Sequence, residues 1–206
     1  MGGYRYDIFI SYPRSGLIEP FVREVFVDLL RRALADHHPV YEPQVFLDER
    51  GIAVGETLTD AIRENLRRSK LLLVLLNPAY ARKTWCREEW ASFDGRAQPP
   101  DQPRRWALLL QDGEHLDPCY KAEKLDLRLK DAGLQLTDLA HLRTENGRHL
   151  QEVVVGLADA LSKRLLAIDA HLGAGAAPDP LPAPLRLPPA YAPIGQLPQL
   201  GGPHVR

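Results

Sequence analysis

Between Trp85 and Trp90 the chain reads WCREEW. Two indoles, a thiol and two adjacent carboxylates within six residues could do chemistry: a carboxylate stabilises a cation or moves a proton, and an indole walls a pocket. Two readings are open. One is an amphipathic surface helix with tryptophan as its buried stripe and the glutamates in water. The other joins Trp85 to a glutamate one turn later, since residues three or four apart share a helix face. Spacing alone does not choose between Glu88, at i+3, and Glu89, at i+4. Cys86 has no histidine beside it in the motif, so it reads as a small buried residue rather than a nucleophile. Trp90 and Phe93 read as core.

Other chemistries are excluded by what the chain lacks. There is no phosphate loop ending in Gly-Lys-Ser/Thr and no dinucleotide fingerprint after the first apolar run. No Gly-x-Ser-x-Gly elbow occurs. The seven histidines show no metal-ligand spacing, and His37 and His38 are adjacent. A phosphoacceptor receiver would carry an acidic pair after its first strand, where this chain has Ser11-Tyr12-Pro13-Arg14. Among 206 residues, 45% are hydrophobic and 26% charged, the balance of a globular domain with room for an appendage. The net charge of −1 gives no electrostatic reason to expect nucleic acid or an anionic membrane. Two cysteines make no disulfide framework, which points to a reducing compartment. The opening residues lack a signal peptide's apolar run, and LLLVLL at Leu71–Leu76 is too short to span a bilayer. The chain reads as a cytoplasmic protein without a metal or bound cofactor.

The elements that must position WCREEW follow from hydrophobic period. Tyr6–Ser11, Val45–Asp48 and Leu71–Leu76 read as strands, the last apolar on both faces as in a central parallel strand. Trp106–Leu110 and Leu134–Leu139 are weaker strand candidates, with a polar helical segment near Asp117–Lys130 between them. Helical spacing runs from Phe21 to about Ala35, from Thr57 to Ser69, and from about Gly147 to Leu172, where Val153, Leu157, Leu161 and Leu165 share a side. Strands alternating with helices imply an α/β fold, a parallel sheet covered on both faces. Such sheets bind ligands beyond the carboxyl ends of their strands, which here means the loops after Ser11, Asp48 and Leu76.

Three segments in this order, DIFISYPR, VFLDERGIAVGE and LLLVLLNPAYARKTWCREEW, resemble the Toll/interleukin-1 receptor (TIR) domain. The resemblance covers about Tyr4 to Leu166 and is strongest up to Phe93. It implies a flavodoxin-like three-layer sandwich, with a five-stranded parallel sheet in the order 2-1-3-4-5. It also implies an activity, because many members cleave NAD between nicotinamide and ribose. Their glutamate lies four residues after a tryptophan, which selects Glu89 as catalyst and Trp85 as wall of the ribose pocket. One carboxylate is chemically reasonable: nicotinamide leaves as a neutral pyridine and needs no general acid, unlike a glycosidase leaving group. The remaining oxocarbenium-like ribose is what an anion stabilises. The product would be ADP-ribose or a cyclic isomer of it.

The resemblance further implies that Tyr12 and Arg14 contact the nucleotide, an aromatic suiting a base and arginine a phosphate. Asp48 is either a ligand contact or a cap for its own loop. Gly55 matches a glycine of the family's BB loop, which packs against the next subunit in head-to-tail assemblies. NAD+ as substrate and self-association through that loop are the implied partners, in an effector of an immune or antiphage system of bacterial origin. A non-catalytic adaptor acting through TIR–TIR contacts is the alternative, since Ala53 and Pro13 depart from the family's usual residues.

The composition changes at Gly173. Nine of the eighteen prolines lie in 173–206, with only three charged residues. The expectation is a TIR domain at 1–172, then an extended or disordered tail that ends the chain, links it to a sensor, or offers PLPAP at Pro180–Pro184 as a ligand.

Overall fold

Strand β1, Tyr6–Ser11, occupies the interior of a five-stranded sheet in a computed structural model that describes residues 3–14, 16, 18–48, 60–100, 103–110, 118–121, 124–125, 145–181 and 185–188. The chain then enters helix α1, Ile18–Pro20, a π-helical segment, Phe21–Phe26, and helix α2, Val27–His37. Strand β2 is Val45–Leu47 and helix α3 is Asp60–Arg67. Strand β3, Ser69–Leu76, leads into two short helices, α4 at Pro78–Arg82 and α5 at Thr84–Ala91. Strand β4, Arg105–Leu109, helix α6, Pro118–Lys121, strand β5, Lys124–Leu125, and the long helix α7, Glu145–Leu172, follow.

The order is β2-β1-β3-β4-β5 and every pairing is parallel. That is the expected flavodoxin-like arrangement, but one expectation is corrected. The strand beside β4 is Lys124–Leu125, inside the segment read as helical, and it is only two residues long. Two residues are too few for a period to show. The candidate at 134–139, like most of 117–130, lies outside the described residues.

Alternation along the strands builds two cores, one on each face of the sheet. Ile8 and Ile10, Leu71, Leu73 and Leu75, and Leu108 meet α2, the π segment and α7. Phe9, Leu72, Val74, Leu76, Ala107 and Leu109 meet α3, α4, α5 and Tyr120. On α7 the buried line is Leu150, Val154, Leu157, Ala158, Leu161, Leu165 and Ile168, so Val154 rather than the half-buried Val153 carries the stripe. Gly173 ends α7 with φ +79° and donates its N–H to the Asp169 carbonyl, a left-handed cap that glycine adopts without strain.

At the amino-terminal end of the sheet, Lys70 pairs with Asp7 at 2.8 Å and with Asp169 at 2.7 Å. The Tyr41 hydroxyl donates to Asp169 at 2.6 Å with Asp7 3.2 Å away, so the cluster ties β1, β3 and α7 together. The chain past Leu172 has no helix or strand among the described residues, yet it is tied to the body at two places. Asp179 accepts from Tyr4 OH at 3.0 Å and pairs with buried Arg104, and the Pro188 carbonyl accepts from Arg87 Nε at 2.7 Å.

Candidate functional site

Ser11 ends β1 on the face that carries Phe9, and that parity aims its hydroxyl at α4 and α5. The route into those helices is set locally. Asn77 caps α4 by accepting from Tyr80 N–H at 2.9 Å, and Pro78 fills the first helical turn where no N–H is needed. Lys83 then takes an extended conformation, φ −91° and ψ 123°, which breaks the helix and starts α5 in a new direction. The segment between Pro78 and Ala91 therefore holds two helices and not one. The break lets the Tyr80 hydroxyl donate to the Cys86 carbonyl at 2.8 Å.

Glu89 is 3% exposed, at the carboxyl end of β1. Ser11 Oγ hydrogen-bonds its Oε2, and the same Oγ lies 2.8 Å from Tyr80 OH. Burial pushes the Glu89 carboxyl up to about 8; the Ser11 hydrogen bond and the Arg14 charge pull it down, while Asp48 and Glu88 push it further up. A carboxyl with such a shift at the carboxyl ends of parallel strands is a functional-site candidate on physical grounds. The opening ambiguity over WCREEW is resolved in part. Both Glu88 and Glu89 are buried, so the reading of Glu88 as solvated is corrected, and Glu89 is the one hydrogen-bonded to Ser11 of β1.

Arg14 and Asp48 form an ion pair beside Glu89, joining the carboxyl ends of β1 and β2, with side chains 9% and 7% exposed. Burial works against the Arg14 charge, but the Asp48 hydrogen bond and charge more than offset it and raise its pKa. Arg14 Nη1 has no hydrogen-bond partner among the described residues, so one donor of the guanidinium is unspent in a buried site. Arg14, Asp48 and Glu89 are thus brought together.

Tyr12 and Trp85 stand differently. Tyr12 packs in the first core with its ring and hydroxyl buried and the Arg14 guanidinium close to the hydroxyl. Trp85 is buried in the second core with Lys83 Nζ 5.0 Å from its ring centroid. It lies on the Glu89 face as expected, but as packing. Gly55 lies outside the described residues. Trp90 packs edge-on to Tyr80 and Tyr120, and Phe93 is buried, both as expected. Cys86 is fully buried and its thiol is pushed well above the usual range by burial and then by Glu89, so it stays protonated.

Sequence reasoning passed over Ser11 and Tyr80 as site residues. A signal existed for the first: a polar residue closing an otherwise apolar strand, at the sheet edge where ligands bind. Tyr80 carried none, because its partner is a carbonyl beyond a helix break. A cavity of about 430 Å³ lies at the other end of the sheet, lined by Tyr4, Lys70, Asp169 and the turn after α7. Its charged groups are paired with one another. Among the described residues no cluster is arranged to hold a metal, and no helix is long and apolar enough to cross a membrane.

Fold and site together define an α/β domain of flavodoxin-like order with an acidic, buried end-of-strand site. The model of the TIR domain matches residues 8–154, and the chain belongs to that family. It is similar to the NAD(+) hydrolase ApTIR of Actinoplanes sp., 33% identical over 87 residues, which is 41% of this chain and 12% of that protein. Among solved structures it matches the TIR domains of the activated Roq1 resistosome directly recognising the pathogen effector XopQ. That match is 16% identical, covers 79% of this chain and 84% of the other, and has a TM-score of 0.36, too loose to support an argument.

Proposed function

We propose that this domain cleaves NAD+ at the bond between nicotinamide and ribose, with Glu89 as the catalytic carboxylate. One observation carries the reading: Glu89, four residues after Trp85, is a buried carboxyl at the carboxyl end of β1, with the Arg14–Asp48 pair beside it. The kinship with an NAD(+) hydrolase agrees with it. In this mechanism the cationic nicotinamide ring favours the ionised form of Glu89 by direct attraction. The carboxylate then stabilises the positive charge that passes to ribose as neutral nicotinamide leaves. Arg14, through its uncommitted Nη1, is the group for a nucleotide phosphate. Water completes the reaction, or adenine does so to give a cyclic product.

Because Glu89 is 3% exposed, substrate reaches it only after side chains over the site shift. Self-association is the event proposed to drive that shift, in an immune effector whose site is completed by a neighbour. The test is nicotinamide release from NAD+ by the full chain over a wide protein concentration range, beside Glu89→Ala. Release that climbs more steeply than protein concentration, and falls about 10²–10³-fold in the variant, supports the proposal. Equal release by both proteins removes Glu89 from catalysis. No release at any concentration, or in an enforced oligomer, leaves an adaptor acting through TIR–TIR contacts.

A further inference from the structure

Glu89, Ser11, Tyr80 and the Cys86 carbonyl form a line of four oxygens with three hydrogen-bond links. The two hydroxyls own two protons between them. With Glu89 ionised, Ser11 must donate to the carboxylate, and Tyr80 then serves either Ser11 or the Cys86 carbonyl, so one link stays empty. With Glu89 protonated, its own proton fills the first link. Ser11 then turns its proton to Tyr80, Tyr80 turns its proton to Cys86, and all three links are filled. The geometry permits both settings, since either Ser11 or Tyr80 can donate across their 2.8 Å contact.

We propose that Ser11 and Tyr80 are positioning residues that form a two-hydroxyl relay behind Glu89, and that the direction of its hydrogen bonds reverses when the carboxyl gains or loses its proton. The relay deepens the proposed reaction, because it decides when the carboxylate exists. Tyr80 is fully buried and its phenol is held well above the usual range by burial, so it stays a hydroxyl in both settings. The charged groups facing the carboxyl are Arg14 from the loop after β1, Asp48 from the end of β2, and Glu88 on α5, with Lys83 and the Cys86 thiol nearby. None of them is altered by removing a relay hydroxyl, so the effect of each removal is attributable to the relay.

The proton count, together with the strength of each link, fixes the sign of two variants. Ser11→Ala costs the protonated form two neutral links and the ionised form one, but that one is the charge-assisted bond to a buried carboxylate, whose loss outweighs two neutral links, so the Glu89 titration midpoint rises. Tyr80→Phe costs the protonated form two links and the ionised form one, so the midpoint falls. Each shift is expected to be about one pH unit, a tenfold change in acidity. The measurement is the pH titration of the Glu89 carboxyl carbon in the full chain labelled with 13C-glutamate, its signal assigned by its loss in Glu89→Gln. Midpoints displaced in opposite directions support the relay. Displacement in the same direction, or in neither variant, overturns it. Tyr80→Phe keeps the ring and its edge-on packing, so it decides the matter even if Ser11→Ala does not fold. The acid limb of kcat/KM for NAD+ should move with these midpoints. Opposite displacements in a chain that cleaves no NAD+ would keep the relay and remove the NADase reading; cleavage without the displacements would do the reverse.

Discussion

A carboxyl buried where Glu89 lies makes stability depend on pH in a direction opposite to that of a salt-bridged acid. Its folded value is about 8, against about 4.5 for an unperturbed glutamate. Between those values the folded state holds a proton that the unfolded state releases. The stability contributed by Glu89 therefore falls as pH rises from about 4.5 to about 8, and is constant outside that window. Glu89→Gln, which cannot ionise, should escape the fall. The melting temperature of the variant minus that of the parent is expected to grow across that window, by an amount equivalent to a few kcal/mol. A difference that stays constant with pH would mean that Glu89 is ionised in the folded chain. The same value sets the rate profile. The acid limb of kcat/KM reports the free protein and should have its midpoint near 8, while that of kcat, with the cationic substrate bound, should lie lower.

Between elements, the decisive contact is Arg14 with Asp48, because it joins the ends of β1 and β2 where the sheet opens to ligand. Both side chains are largely buried, so removing one partner strands a charge. Asp48→Ala is expected to cost about 3 kcal/mol, near the lower end for a broken buried pair, which for a chain of this size lowers the melting point by roughly 6–12 °C. Replacing both residues by apolar ones should cost clearly less than the sum of the two single changes. Thermal melts of the two single variants and the double variant check this, and additive losses would mean the pair is not coupled. The same elements mark the limit of pattern reading. The unbroken apolar run Leu71–Leu76 was legible as a strand covered on both faces, which placed β3 inside the sheet, while the division of Ile8 and Leu71 from Phe9 and Leu72 between the two cores emerges only in the fold. The break at Lys83 was not legible, since Asn77-Pro78 announces a helix start while nothing in ARKTW marks a second one.

Across the whole molecule, the proline-rich segment is held to the body at Asp179 and at Pro188. The reason is electrostatic. Arg96 and Arg104 are both buried, and they spend most of their donors on backbone carbonyls at the start of β3 and around it. Burial, and then the Arg104 charge, lower the Arg96 pKa to about 9. Asp179, beyond the end of α7, brings a carboxylate onto Arg104, which is 1% exposed. Asp179→Ala should loosen the segment and lower stability by about 2 kcal/mol, between the small worth of an exposed pair and the larger loss from a buried one. Proteolysis that becomes faster after Leu172, together with a melting point lower by roughly 4–8 °C, is the expected result. An unchanged melting point would mean that the contact is incidental.

The α/β class, the first four strands and the choice of WCREEW as the centre of interest rest on local information, whereas the strand order is an implication of the resemblance to the TIR domain. Period, composition and end-of-strand chemistry are properties of neighbouring residues, and they survive in a one-dimensional string. Ser11 beside Glu89, Arg14 committed to Asp48, Tyr12 turned into the core and Asp179 carried back to Arg104 join residues 34 to 78 positions apart. Which hydroxyl meets which carboxyl depends on strand parity, on a helix broken at one lysine and on how two cores fill. Those quantities exist only once the sheet has closed around its side chains.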